Sequence, residues 1–139
     1  MQRRETGPLD DADYANLARF RYLLRGFLDF SERAARDIGL TPAQHQLLLA
    51  VRGHPGPAPP NVTDIATALY VKHHSAGELV ARTEAAGLLE RTPDEADARQ
   101  HRLALTDAGE TVLGALASAH RDELTALRSD LAHLLEELA

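Results

Sequence analysis

Residues 62–106, VTDIATALYVKHHSAGELVARTEAAGLLERTPDEADARQHRLALT, constrain the fold more than any other stretch of the chain. Thr63 reads as the cap of a short helix whose Ile65, Ala66 and Leu69 turn inward, and Ala66 is small enough to let a second helix cross closely. That second helix is predicted from about Lys72 to Ala86, with Ala76, Leu79, Val80, Thr83 and Ala86 at spacings of three and four. Gly87 follows as the left-handed residue that ends it. Residues 88–91 then begin a strand, 93–97 turn, and 99–105 return with Arg102 and Ala104 alternating against Leu103 and Leu105. Two short helices and a charged hairpin in this order predict a winged helix-turn-helix. In such architectures the second helix enters the major groove while the hairpin reaches the neighbouring backbone or minor groove. The stretch therefore points to sequence-specific binding of double-stranded DNA.

The flanks predict mainly helix. Residues 1–9 read as a mobile polar arm carrying Arg3 and Arg4. From Asp11 to Ile38 the residues Leu17, Phe20, Leu24, Phe27, Ser31, Ala34 and Ile38 form an alternating three-four stripe, widened by Leu23 and Leu28. A helix of about 28 residues is roughly 40 Å long. Thr41-Pro42-Ala43-Gln44 is a capping-box pattern opening a helix to about Arg52, with Leu47, Leu48 and Val51 inward and Gly53 as its stop. The stretch 54–61, HPGPAPPN, holds four of the seven prolines and leaves room only for a strand stub at Asn61 and Val62. Thr106 caps a last helix whose stripe runs through Val112, Leu113, Leu116, His120, Leu124, Leu127, Leu131, Leu134 and Leu138. The expected fold is mainly α with a small β-hairpin wing: one domain, with a winged lobe over 41–106 and dimerisation helices over 10–38 and 107–139. A domain this small cannot easily bury both terminal stripes, which favours a homodimer of interleaved ends over an intramolecular helix pair.

Composition removes several alternatives. The chain has 139 residues and no cysteine, so disulfides and thiolate metal sites are excluded. No apolar run reaches the length of a membrane span and the start lacks a signal-peptide core, so a cytoplasmic protein without a membrane partner is expected. Net charge is −6, and residues 70–105 carry five Lys or Arg against six Asp or Glu. A DNA-binding lobe of this composition must work through a few positioned cations and helix N-termini.

The residues resemble those of the multiple-antibiotic-resistance regulator (MarR) family of bacterial transcription factors. The resemblance rests on Leu40-Thr41-Pro42-Ala43-Gln44, Asp64-Ile65-Ala66, Leu79-Val80-Ala81-Arg82 and residues 84–91 in order. Most specific are Asp97-Ala98-Arg99 and Leu105-Thr106-Asp107-Ala108-Gly109, similar to the family's DxR wing signature and the LTxxG after it. The resemblance implies a homodimeric repressor released from a pseudo-palindromic operator by a small aromatic or phenolic effector. It also implies that Arg99 enters the minor groove while Asp97 holds its guanidinium. The chain departs from the family at the recognition helix, which begins Val71-Lys72-His73-His74-Ser75 and carries Glu78 where an Arg is common.

Lys72, His73, His74 and Ser75 occupy the first turn that would face DNA, Lys72 as a phosphate contact and the histidines as donors to bases or phosphates. Arg82, with Glu78 and Glu84 nearby, suits an internal ion pair as well as a DNA contact. His45, His101, His120 and His133 match no metal-ligand spacing, and neither metal nor cofactor is expected. Phe20, Tyr22, Phe27 and Phe30 fit a core or dimer seam better than an effector pocket. There is no nucleophile-base pair, glycine-rich phosphate loop or paired-carboxylate setting, so no enzyme is expected. The alternative function is a winged-helix protein interaction module without DNA binding.

Overall fold

A computed structural model of the chain describes residues 7–138. The element order is α1 (Asp11–Asp37), α2 (Pro42–Arg52), α3 (Val62–Leu69), α4 (His73–Ala85), β1 (Leu89–Pro93), β2 (His101–Leu105) and α5 (Asp107–Leu138). Most of the expected arm over 1–9 lies outside the described residues. The described residues divide into two compact units, one of residues 32–118 and one made of the two ends, 7–31 with 119–138.

The larger unit is a winged helix. Its core gathers Ala35, Leu47, Leu48, Ile65, Ala76, Val80, Leu89 and Leu103, all at most 2% exposed. Each fully buried leucine contributes roughly 1.5–3 kcal/mol through water exclusion. The capping box at Thr41 forms in both directions at 3.1 Å, and Gly53 ends α2. Ala66 and Ala76 are both buried between α3 and α4, and Thr83 satisfies its buried hydroxyl by donating to the Leu79 carbonyl at 2.8 Å. Gly87 takes φ 79°, the left-handed turn that releases α4 into the hairpin. The strands pair antiparallel with Leu89 opposite Leu105 and Pro93 opposite His101.

Several local expectations need correction. Asn61, not Thr63, caps α3: its side chain accepts from the Asp64 amide at 2.9 Å, and the Asp64 carboxylate accepts from the Asn61 amide at 3.0 Å. The strand stub at Asn61 and Val62 is absent because that cap starts a helix there, leaving one sheet-like bond from the Leu103 amide to the Pro60 carbonyl at 2.9 Å. Lys72 is the residue before α4 rather than its first, and Ala86 is exposed. Pro93 ends a strand instead of starting the turn, a position on a hairpin edge where no amide is needed. Arg99 lies in the turn and β2 starts only at His101.

The LT-x-x-G stretch has a physical account. The Thr106 hydroxyl donates to the Gly87 carbonyl at 2.6 Å and accepts from the Gly109 amide at 3.1 Å, so it closes the end of α4 and the start of α5 together. A Cβ at Gly109 would collide with the Leu88 carbonyl oxygen, which itself accepts from the Thr106 amide at 3.2 Å.

In the unit formed by the ends, Leu23 and Leu134 are buried, at 8% and 2% exposed. His120 is buried as well, 2.9 Å from the Ser31 hydroxyl and edge-on to Phe27 and Phe30 at 5.9 and 5.3 Å. Much of the predicted stripe is nevertheless bare. Leu17, Phe20, Leu24 and Leu28 are 41–51% exposed and Leu124 is 49% exposed, as is Leu135 beside the stripe at 60%.

Candidate nucleic-acid interface

Three helix starts are closed by side chains: Thr41 with Gln44 at α2, Asn61 with Asp64 at α3, and Thr106 at α5. At α1, Asp10 and Asp13 exchange the same reciprocal bonds at 2.9 and 3.0 Å. The start of α4 differs. Lys72 has no hydroxyl, amide or carboxylate to offer, no side-chain cap forms, and the first turn carries no acid. The leading amides of a helix have no intrahelical acceptor and sit at its positive end. At α4 no capping side chain covers them, and Lys72, His73, His74 and Ser75 around them are all exposed. This geometry accepts an anion, a backbone phosphate included.

The wing is braced from within. Asp94 accepts from the Ala96 amide at 2.7 Å and from Arg102, whose Nη2 lies 2.7 Å away. Arg102 also donates to the Pro59 carbonyl at 2.9 Å, tying the hairpin to the proline loop. The Ala96 amide, followed by Arg102, holds the Asp94 carboxyl below its ordinary value. Beyond this brace Asp97 accepts from the Arg99 amide at 3.1 Å and pairs with its guanidinium at 3.5 Å. The Arg99 side chain is 94% exposed, so Asp97 sets its direction without burying it.

Between the wing and the helices lies a cleft of about 260 Å³ lined by Asn61, Val62, Thr63, His73, Arg91, Arg99, Gln100 and His101. None of these residues is acidic, in a chain with 21 acidic against 15 basic residues. Carboxylates meet two of its cations from outside: Glu84 reaches Arg91 at 3.1 Å and Asp97 reaches Arg99. An Asn61–Gln100 side-chain bond of 3.3 Å links α3 to the wing across it.

Of the residues singled out by sequence, His73 and Arg99 come together on this cleft, and Lys72 and Ser75 share the exposed start of α4. His74 instead pairs with Glu78 one turn on, at 3.2 Å. Of the two roles open to Arg82, the internal ion pair is not seen among the described residues: Glu78 pairs with His74 and Glu84 with Arg91. Asp94, Arg102, Asn61 and Gln100 were not anticipated as parts of the site. Their signal is long-range and becomes readable only once the hairpin register is known. Among the described residues no group of three His, Asp or Glu side chains could hold a metal ion, and no helix is long and apolar enough to cross a membrane.

Comparison with known proteins places the chain among similar folds. A model of the MarR family matches residues 38–100. No curated protein matches the chain. The crystal structure of a MarR family transcription regulator is similar at 27% identity and TM-score 0.72, covering 86% of this chain and 77% of that one. The S. aureus MepR–DNA complex matches at 23% identity and TM-score 0.67, covering 79% and 80%. Bordetella bronchiseptica BpsR, whose DNA binding is regulated by 6-hydroxynicotinic acid, matches at 20% identity and TM-score 0.63, covering 86% and 94%.

Proposed function

We propose that this chain, which belongs to the MarR family of winged-helix proteins, is a homodimeric repressor that binds a pseudo-palindromic DNA operator and leaves it when a small aromatic or phenolic effector binds. One observation carries the DNA-binding reading: the start of α4 is uncapped and shares a carboxylate-free cleft with Arg99. Helix α4 enters the major groove, with Lys72, His73 and Ser75 at its leading turn. His74 belongs to the same turn and contacts DNA once it releases Glu78. Arg99, oriented by Asp97, enters the adjacent minor groove, where a narrow A·T-rich stretch concentrates negative potential.

The dimer reading is supported by the bare apolar side chains on both terminal helices, Leu17, Phe20, Leu24, Leu124 and Leu135 among them. Contiguous exposed apolar surface on a small chain marks an interaction face. A dimer also supplies a second copy of a weakly charged lobe, so that two modest contacts act as one. The repressor role, the pseudo-palindromic operator and release by an aromatic or phenolic effector are taken from the resemblance to the family.

The test is selection of bound duplexes from a random pool at moderate salt, with Arg99→Ala in parallel. Wild type is expected to enrich a pseudo-palindrome, and the variant to bind it at least 10-fold more weakly while keeping its circular dichroism and oligomeric state. Enrichment of no sequence by the wild type would leave the protein-interaction module as the better account.

A further inference from the structure

The turn between α3 and α4 holds the one non-glycine residue with positive φ among the described residues, Tyr70, at φ 56° and ψ 40°. A Cβ is disfavoured in this left-handed region, and glycine fills it elsewhere in the chain, at Gly39 and Gly87. A bulky side chain there is an outlier that needs a reason.

Packing is not the reason. Tyr70 is 97% exposed, more than any other large hydrophobic among the described residues, the next being Tyr22 at 66%. Its backbone amide closes α3 onto Thr67 at 3.3 Å, a role glycine would fill equally well. The left-handed backbone itself is set by the end of α3, where the Val71 amide also closes onto the Ala66 carbonyl at 3.1 Å; among the described residues no side-chain contact favours tyrosine over glycine on it.

The surroundings supply a reason outside the fold. Tyr70 leads directly into Val71, Lys72, His73, His74 and Ser75, all exposed, and into the uncapped start of α4. Tyrosine hydroxyls are among the side chains that donate to phosphate oxygens and fix a protein's register on a duplex. A neutral donor also suits a lobe whose residues 70–105 hold fewer Lys and Arg than Asp and Glu.

We infer that Tyr70 is a DNA-backbone contact, its phenolic hydroxyl donating to a phosphate at the edge of the groove that α4 enters. The inference rests on the DNA-binding reading above. The strain of a side chain on the left-handed residue that ends α3 is the cost of presenting it.

The experiment compares wild type, Tyr70→Phe, Tyr70→Gly and Lys72→Ala on a duplex enriched by the wild type, across a salt series. Tyr70→Phe removes one oxygen and is expected to weaken binding about 3- to 10-fold, the scale of a neutral hydrogen bond. Its salt slope stays that of wild type, because no counterion-releasing cation is lost, whereas Lys72→Ala lowers the slope by about 1. Tyr70→Gly is expected to weaken binding at least as much while raising Tm by roughly 2–4 °C, since the strain is relieved. Wild-type affinity in Tyr70→Phe overturns the contact, and a lowered Tm in Tyr70→Gly overturns the strain argument. Failure of the wild type to enrich any duplex refutes the DNA-binding reading itself, and this contact with it.

Discussion

Replacing Gly109 with alanine tests how tightly the start of α5 is fitted against the wing. The glycine is helical with no unusual φ, so space is its only requirement. An added Cβ would overlap the Leu88 carbonyl oxygen and lie 3.1 Å from its carbon and 3.3 Å from the Leu105 Cβ. These are mostly backbone atoms, so relief requires α5 to move away from the hairpin. Overpacking of this kind costs about 1–3 kcal/mol. Loss of the bond from the Thr106 amide to the Leu88 carbonyl adds about 1 kcal/mol. The better helix propensity of alanine returns about 0.5–1 kcal/mol. The net expectation is a loss of about 2 kcal/mol, which at an m-value of roughly 1–3 kcal/mol per molar moves a urea midpoint down by about 1 M. Protein concentration is held fixed, because an associating chain unfolds at a midpoint that depends on it. Gly114→Ala is the control: the same helix, with nothing within 4 Å of the new Cβ, and an expected gain of about 0.5–1 kcal/mol. If Gly109→Ala is as stable as Gly114→Ala, the close approach of Leu88 does not explain the glycine.

Three further outcomes follow from the same geometry. Asn61→Ala removes the α3 cap and is expected to lower stability by about 1 kcal/mol in urea denaturation, while Thr63→Ala changes it by a few tenths at most. Equal effects would return the cap to Thr63. Because the Asp94 carboxyl titrates below its ordinary value of 3.8 in the folded chain, its stabilisation is fully present above that pH and is lost as pH falls through the folded value. Asp94→Asn is therefore expected to unfold with a shallower pH dependence below about pH 4, measured by acid titration of circular dichroism; an unchanged profile would discount the brace. Arg102→Ala frees the wing from the Pro59 carbonyl, so amide exchange at Gln100 and His101 is expected to accelerate while that of Leu79 and Val80 stays slow.

What was legible in the sequence was local. The Thr41 capping box, the Gly53 stop and the left-handed Gly87 are each written within four or five residues, and each appears where expected. The order of helices and hairpin followed from periodicity, and both inward faces of α3 and α4 were correct at Ile65, Ala66, Ala76 and Val80. The Asn61 cap was missed because two competent caps stand two residues apart, and only Asp64 at the third helical position decides between them. The terminal stripes showed that helices form but not what covers them: Leu17 and Phe20 are exposed, while Ala35, outside the expected stripe, is fully buried. At the candidate site, Asp97 and Arg99 were named through the resemblance to the family's DxR wing, and the two side chains lie 3.5 Å apart. The Asp94–Arg102–Pro59 brace joins residues up to 43 apart and has no local signature.

The proline loop has a consequence for solubility. A two-stranded ribbon leaves both of its outer edges open, and such edges recruit strands from neighbouring molecules. Along β2 the Leu103 amide is already taken by the Pro60 carbonyl, and Pro55, Pro57, Pro59 and Pro60 have no amide with which to continue a ladder. On the other strand, β1 ends in Pro93. The loop therefore acts as a blunt third strand that ends the sheet. Replacing its prolines with threonine or valine would hand the wing an edge open to neighbouring chains, and self-association at the hairpin would then compete with whatever the wing is built to grip.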